Sequence, residues 1–196
     1  MKETLTIRTA SRDEFQEIYA WMEKQFHAGE LKYLTTMEHL REQNRYEVYG
    51  LWSGETLLAY ALFAFTSDMR YALLDYYAVL PQYQDCGWGG KFLNLLSQEL
   101  SCQAILLEVE DPKYAPNAAE KAHFERRIQF YERNHCLHTP VNLNLWGFDY
   151  VIMTLPIAAQ PPAIEIHTAL EEIYRLFFPP EEYVPNVHFR ADVNQK

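Results

Sequence analysis

Apolar residues along this chain recur at two periods, and the switching between them predicts its elements. Leu5 and Ile7 alternate with polar neighbours, the two-residue period of a short strand. Phe15, Ile18, Tyr19, Met22 and Phe26 then fall three or four apart, as on one face of a helix. Ser11, with Glu14 three residues later, forms a capping box at the start of that helix, and Gly29 marks its expected stop. A second helix is expected over 36–44. Residues 46–52 and 56–65 flank a Ser53-Gly54 turn and read as a hairpin, followed by a strand over 71–79. Phe92, Leu93, Leu96 and Leu100 give a helix over 87–100 its apolar face. The branched run 104–110 reads as a strand that Asp111-Pro112 ends. Phe124, Ile128 and Tyr131 share one side of a helix over 118–134, and two strands follow over 137–145 and 150–155. This order predicts an α/β chain with a mixed (α+β) sheet.

The pattern changes after Pro156. Ala158-Ala159-Gln160-Pro161-Pro162 reads as a linker. Leu170, Ile173, Tyr174 and Phe177 then make one helical stripe, which Pro179-Pro180 should end. The expected organisation is one domain over 1–157 and a C-terminal extension over 158–196. That extension is too small to fold alone, so it should pack on the domain or on a partner subunit.

Composition narrows the classes. The 196 residues can bury a real core, and 48% hydrophobic with 15% aromatic content excludes a disordered chain. A formal net charge of -10 argues against nonspecific nucleic-acid or anionic-membrane binding. The three cysteines, Cys86, Cys102 and Cys136, form no disulfide framework. The first residues carry no long apolar run. Together these features predict a cytoplasmic protein with no nucleic-acid or membrane partner. His135-x-x-His138 beside Cys136 lacks a second ligand pair, so no metal is expected.

Candidate chemistry concentrates between Tyr77 and Lys91. A strand ends at Pro81, a short polar loop follows, and glycines stand where a helix begins. Glycines there let backbone N–H groups approach a phosphate, and the first N–H groups of a helix have no partner within it. A P-loop needs Ser or Thr after Gly-Lys, but Gly90-Lys91 is followed by Phe92. The dinucleotide fingerprint needs a third glycine, again where Phe92 stands. What remains is Gln84-x-x-Gly87-x-Gly89 after a strand and a Val-x-Pro step. It resembles the acetyl-CoA signature of the GNAT superfamily of N-acetyltransferases. The other reading is a glycine-rich turn without a ligand.

The resemblance continues downstream. Leu106-Leu107-Glu108-Val109 is similar to the family's next strand, where a glutamate can act as general base. Arg127-Ile128-Gln129-Phe130-Tyr131-Glu132-Arg133-Asn134 is similar to its Tyr-Glu-Arg helix. It departs at His135-Cys136, where the family commonly has Gly-Phe, and in a longer connection after Asp111. The resemblance, over most of 5–155, implies the acyl-CoA N-acyltransferase fold, a mostly antiparallel central sheet flanked by helices. It implies acetyl-CoA as cofactor, with CoA as product. Tyr77, Ala78 and Val79 would line the pantetheine and acetyl group. The backbone of Asp85, Cys86, Gly87, Trp88, Gly89 and Gly90 would hold the pyrophosphate, with Gln84 opening the signature. Lys91 would add a charged contact to phosphate or stay solvated. Tyr131 would return a proton to the departing thiolate. Glu108 would serve as base, with Asp75, Glu110 and Asp111 as competitors. Cys86 is not expected to act as a nucleophile. The implied reaction is direct attack of a primary amine, on a small molecule or a peptide, by a monomer or homodimer. A catalytically silent acyl-CoA-binding module is the alternative.

Overall fold

The computed structural model describes residues 5–191, with side chains to Arg190. Two units divide the chain: Met1–Phe65 with Leu74–Glu99, and Thr66–Leu73 with Leu100–Lys196.

The first unit holds β1 (Leu5–Thr9), α1 (Arg12–Gln25), α2 (Leu34–Glu42), β2 (Tyr46–Ser53), β3 (Thr56–Phe65), the later part of β4 (Tyr71–Val79), and α3 (Trp88–Glu99). The capping box forms as expected: Ser11 Oγ accepts from the Glu14 amide at 3.3 Å, and Glu14 accepts from the Ser11 amide at 2.8 Å. Arg8 grips the same carboxylate at 2.6 and 2.8 Å, and with the cap holds its pKa down at about 2. Phe15, Ile18 and Met22 are fully buried. The helix ends before Gly29. Phe26 turns extended and sets its ring edge-on to Tyr76, 5.1 Å between centroids, so tertiary packing rather than glycine stops α1. The hairpin forms with Gly54 at φ +57. Gly50 is required by its neighbour: a Cβ there would lie 2.3 Å from the Trp52 indole nitrogen.

In the second unit the first residues of β4 pair in parallel with β5 (Ala104–Glu110), Tyr71 opposite Ala104. β5 runs antiparallel to β7 (Phe148–Pro156), β7 to β6 (Leu137–Leu145), and β6 to β8 (Val187–Ala191). The strand order is thus 1-2-3-4 in the first unit and 4-5-7-6-8 in the second, eight strands in all, mostly antiparallel. The helices here are α4 (Ala118–Arg133), α5 (Ala163–Phe177) and α6 (Pro180–Asn186).

The extension is richer than its pattern suggested. α5 buries Ile166, Leu170, Ile173 and Tyr174, while Phe177 is half-buried. Pro179-Pro180 ends α5 but also opens α6, with Pro180 at the first helical position where its missing N–H costs nothing. β8 then adds to the β6 edge, with Leu143 opposite Phe189. His167 and Tyr174 of α5 hold the Phe189 ring at 4.3 and 6.2 Å. β6 and β7 meet at Trp146-Gly147, both left-handed at φ 53 and 84, the turn that suits strand twist. Among the described residues no helix is long and apolar enough to cross a membrane.

Candidate active site

β4 delivers the candidate cofactor residues. Tyr77, Ala78 and Val79 are half-buried at its end. Leu80 leaves the strand extended, Pro81–Tyr83 make one 3-10 turn, and Gln84 ends it. Asp85 and Gly87 both have left-handed φ, 59 and 77, and Cys86 between them does not. Alternating handedness turns successive N–H groups toward one side, an arrangement that cradles anions. α3 begins at the next residue, so its own first N–H groups add to the same end. A Cβ on Gly87 would meet nothing within 4 Å. Glycine is therefore wanted for its conformation, and open space lies before the loop.

Side chains brace this loop from behind. Tyr77 stacks on Phe92 of α3, 5.7 Å apart at 19°, and its hydroxyl donates to the Gly89 carbonyl. The Gln84 amide donates back to the Val79 carbonyl at 3.2 Å. Gln25, the last residue of α1, donates to that same oxygen at 3.1 Å and itself accepts from the buried Tyr60 hydroxyl at 2.7 Å. The Val79 carbonyl is thus engaged by two side-chain amides. Sequence pattern named Gln84 only as a motif letter and missed Gln25 and Tyr60 altogether. The Lys91 ammonium lies over the Trp88 ring, 5.3 Å from its centroid, and the side chain is exposed. Cys86 is exposed and carries no disulfide.

The acid–base candidates sit in the second unit. Glu108 is half-buried on β5, opposite Ile152 of β7. It shares a face with Glu110, since Leu107 and Val109 between and before them are buried. Two of the competing carboxylates have structural employment there. Glu110 is clamped by Arg127, one contact at 2.6 Å. Asp111, buried, caps the turn after β5 by accepting from the Lys113 amide at 2.9 Å. Tyr131 is the one buried residue of α4. Burial raises its hydroxyl pKa; the Arg127 guanidinium, hydrogen-bonded to it, pulls the other way. Glu110, Arg127 and Tyr131 therefore form one chain of charge and hydrogen bonding. The departure at His135 has a simple form: His135 stands at φ 68, the left-handed position that glycine usually fills after a helix. The Cys136 amide still closes back on the Tyr131 carbonyl at 3.0 Å, so the helix end survives without glycine.

The third competitor, Asp75, lies on β4 in the first unit. Its carboxylate accepts from Lys32 Nζ at 2.7 Å and from the Tyr46 hydroxyl at 2.5 Å. Among the described residues no group of histidine, cysteine and carboxylate side chains could hold a metal ion.

A strand leading into a glycine loop and a helix start, on a mostly antiparallel sheet of eight strands, is the fold of the GNAT superfamily of N-acetyltransferases, as solved structures attest. The ribosomal-protein-S18-alanine N-acetyltransferase of Escherichia coli superposes with a TM-score of 0.58 at 25% identity, over 82% of this chain and 98% of that one. A GNAT-family protein of Bacteroides thetaiotaomicron gives 0.63 at 17%, over 83% and 92%. The spermidine N-acetyltransferase of Vibrio cholerae, crystallised with CoA and spermine, gives 0.57 at 15%, over 79% and 96%. No family model matches the sequence, and no curated protein is similar to it in sequence.

Proposed function

We propose that this protein is an N-acetyltransferase that takes its acetyl group from acetyl-CoA and passes it to a primary amine. The observation that carries the reading is the alternating backbone of Asp85, Cys86 and Gly87 at the head of α3, with open space before it. The solved neighbours support it, including one crystallised with CoA and spermine. Bound acetyl-CoA supplies an activated thioester. The N–H groups from Asp85 to Gly90 bind its pyrophosphate. Tyr77, Ala78 and Val79 line the pantetheine arm, with Tyr77 locked by Phe92 and Gly89. Lys91 adds a charge-assisted contact when it leaves the Trp88 ring.

Tyr131 is the proton donor. A tyrosine holds its proton at neutral pH; burial raises its pKa further, and the hydrogen-bonded Arg127 guanidinium opposes that rise and steadies the phenolate that donation leaves behind. Glu108 is the candidate base on β5, the strand position where the resemblance places a glutamate; of its competitors, Glu110 is held by Arg127 and Asp111 caps the turn after the strand. The acceptor is a small-molecule or peptide amine. Residues 158–196 are a C-terminal extension of the catalytic domain. The test has two parts. Calorimetry with CoA should show binding that Gly87→Val abolishes in a folded protein. Thiol release from acetyl-CoA over a panel of polyamines, amino acids and N-terminal peptides should then identify an acceptor. Binding without turnover across the panel would leave a silent acyl-CoA-binding module, and no binding would reject the reading.

A further inference from the structure

Lys32 belongs to the connection between α1 and α2, where a lysine would ordinarily project into water. Instead its side chain is about one-fifth exposed and reaches Asp75, whose own side chain is only 5% exposed. The amine nitrogen lies 2.7 Å from Asp75 Oδ1. Its backbone amide donates to the Tyr76 hydroxyl at 3.0 Å, and that hydroxyl donates to the Glu30 carbonyl at 2.7 Å. The Tyr76 ring lies 5.1 Å from Nζ. The other carboxylate oxygen receives the Tyr46 hydroxyl at 2.5 Å. A carboxylate, a phenol and an aromatic face form a box for an alkylammonium, and here a side chain of the same molecule fills it.

The position of that box matters. Asp75 precedes Tyr77 by two residues on β4, about 7 Å of strand. Tyr77 to Val79 are the residues proposed to line the pantetheine and its acetyl group. An amine held on Asp75 is therefore held on the cofactor strand itself, close to where the acetyl group would arrive. Buried ion pairs of this kind contribute little net stability compared with apolar packing, so stability alone is a weak account of one.

Resting on the acetyltransferase reading above, we infer that Lys32 is an internal acceptor: the protein acetylates its own Lys32 and thereby opens the Asp75 box to a diffusible amine. The step balances. The Lys32 ammonium gives one proton to Asp75. The neutral nitrogen attacks the thioester carbonyl carbon, a C–N bond forms, the C–S bond breaks, and sulfur leaves with the electron pair. The thiolate takes up a proton to give CoA. The second nitrogen proton passes to solvent, leaving a neutral amide. Asp75 then releases its proton to solvent; an amide cannot pair with Asp75 as an ammonium does, so the carboxylate becomes available to another cation.

The experiment incubates the full chain with isotope-labelled acetyl-CoA and maps the label by peptide mass spectrometry. The expected result is label on Lys32 ahead of the exposed Lys24, Lys91, Lys113 and Lys121. Asp75→Asn should slow that labelling by about a hundredfold, as loss of a proton acceptor does. Lys32→Arg keeps the ion pair, so it serves as a folded control that takes no label at the site. A second measurement needs no turnover. Lys32→Gln places an amide where the ammonium was, so 1,4-diaminobutane should raise its melting temperature while leaving the wild type unmoved. Label spread over the exposed lysines with Lys32 spared, in a protein that binds CoA and acetylates free amines, would overturn this inference and leave the acetyltransferase reading intact. An unshifted Lys32→Gln would overturn it as well. Failure to bind CoA would reject both.

Discussion

Tyr131 is buried at 6% exposure, and its hydroxyl answers to two opposing influences, burial and Arg127. Tyr131→Phe keeps the ring and removes the proton. Turnover should fall by about 10²–10⁴-fold while CoA affinity stays within a factor of two or so. A wild-type rate in Tyr131→Phe would return the residue to plain core packing. His135 makes a different prediction. A non-glycine residue in the left-handed region costs roughly 1–2 kcal/mol, so His135→Gly should stabilise the protein by about 1 kcal/mol in urea unfolding. The exposed side chain has no buried packing to lose. At Gly87 the same physics runs the other way. Open space means a new side chain clashes with nothing there, yet φ +77 opposes it. Gly87→Val should therefore cost stability through the backbone as well as blocking the anion cradle.

Among the elements, α1 carries a pH signature. The Glu14 carboxyl is held down at about 2 by Arg8, with the capping amide assisting. A depressed carboxyl stabilises the folded state above its unfolded pKa near 4.5, and that contribution is lost as pH falls toward 2. Melting temperature followed from pH 5 to pH 2 should thus decline less steeply in Glu14→Gln than in the wild type. The same helix shows what pattern alone can reveal. Its start was legible because Ser11 and Glu14 act locally, within one turn. Its end was not, because Phe26 leaves the helix to meet Tyr76, fifty residues away in sequence. β5 and the hairpin were legible to within a residue, since apolar runs bounded by turn residues need no tertiary information. α6 and β8 were missed because Pro179-Pro180 signals a stop and a start equally well, and a five-residue edge strand has too few positions for a period to show.

For the molecule as a whole, the extension decides how the sheet ends. β8 covers the edge of β6, and α5 buries Ile166, Leu170 and Ile173 completely. Fully burying one such side chain contributes about 1.5–3 kcal/mol. Truncation after Pro156 should therefore lower the melting temperature sharply and promote association through the bared strand. A truncated protein with unchanged melting temperature and oligomeric state would contradict this. The candidate site was legible in a similarly uneven way. The glycine loop announces itself in sequence through the spacing of Gln84, Gly87 and Gly89 before a helix, although of its two left-handed positions one is Gly87 and the other Asp85. The residues that brace it do not, since Gln25, held by the Tyr60 hydroxyl, and Gln84 meet at the Val79 oxygen only when α1, β3 and the turn after β4 are folded.

That shared oxygen has one more consequence. A carbonyl has two lone pairs, and the Val79 oxygen already accepts from two side-chain amides. A pantetheine N–H arriving there would substitute for one donor and add none. Association becomes an exchange of partners, so its enthalpy is a small difference between similar bonds. If Gln25 is the donor that yields, the end of α1 is released when the cofactor docks, and the helix that leads toward Lys32 registers the event. Gln25→Leu removes that competitor in advance. CoA should then bind with more heat released per mole.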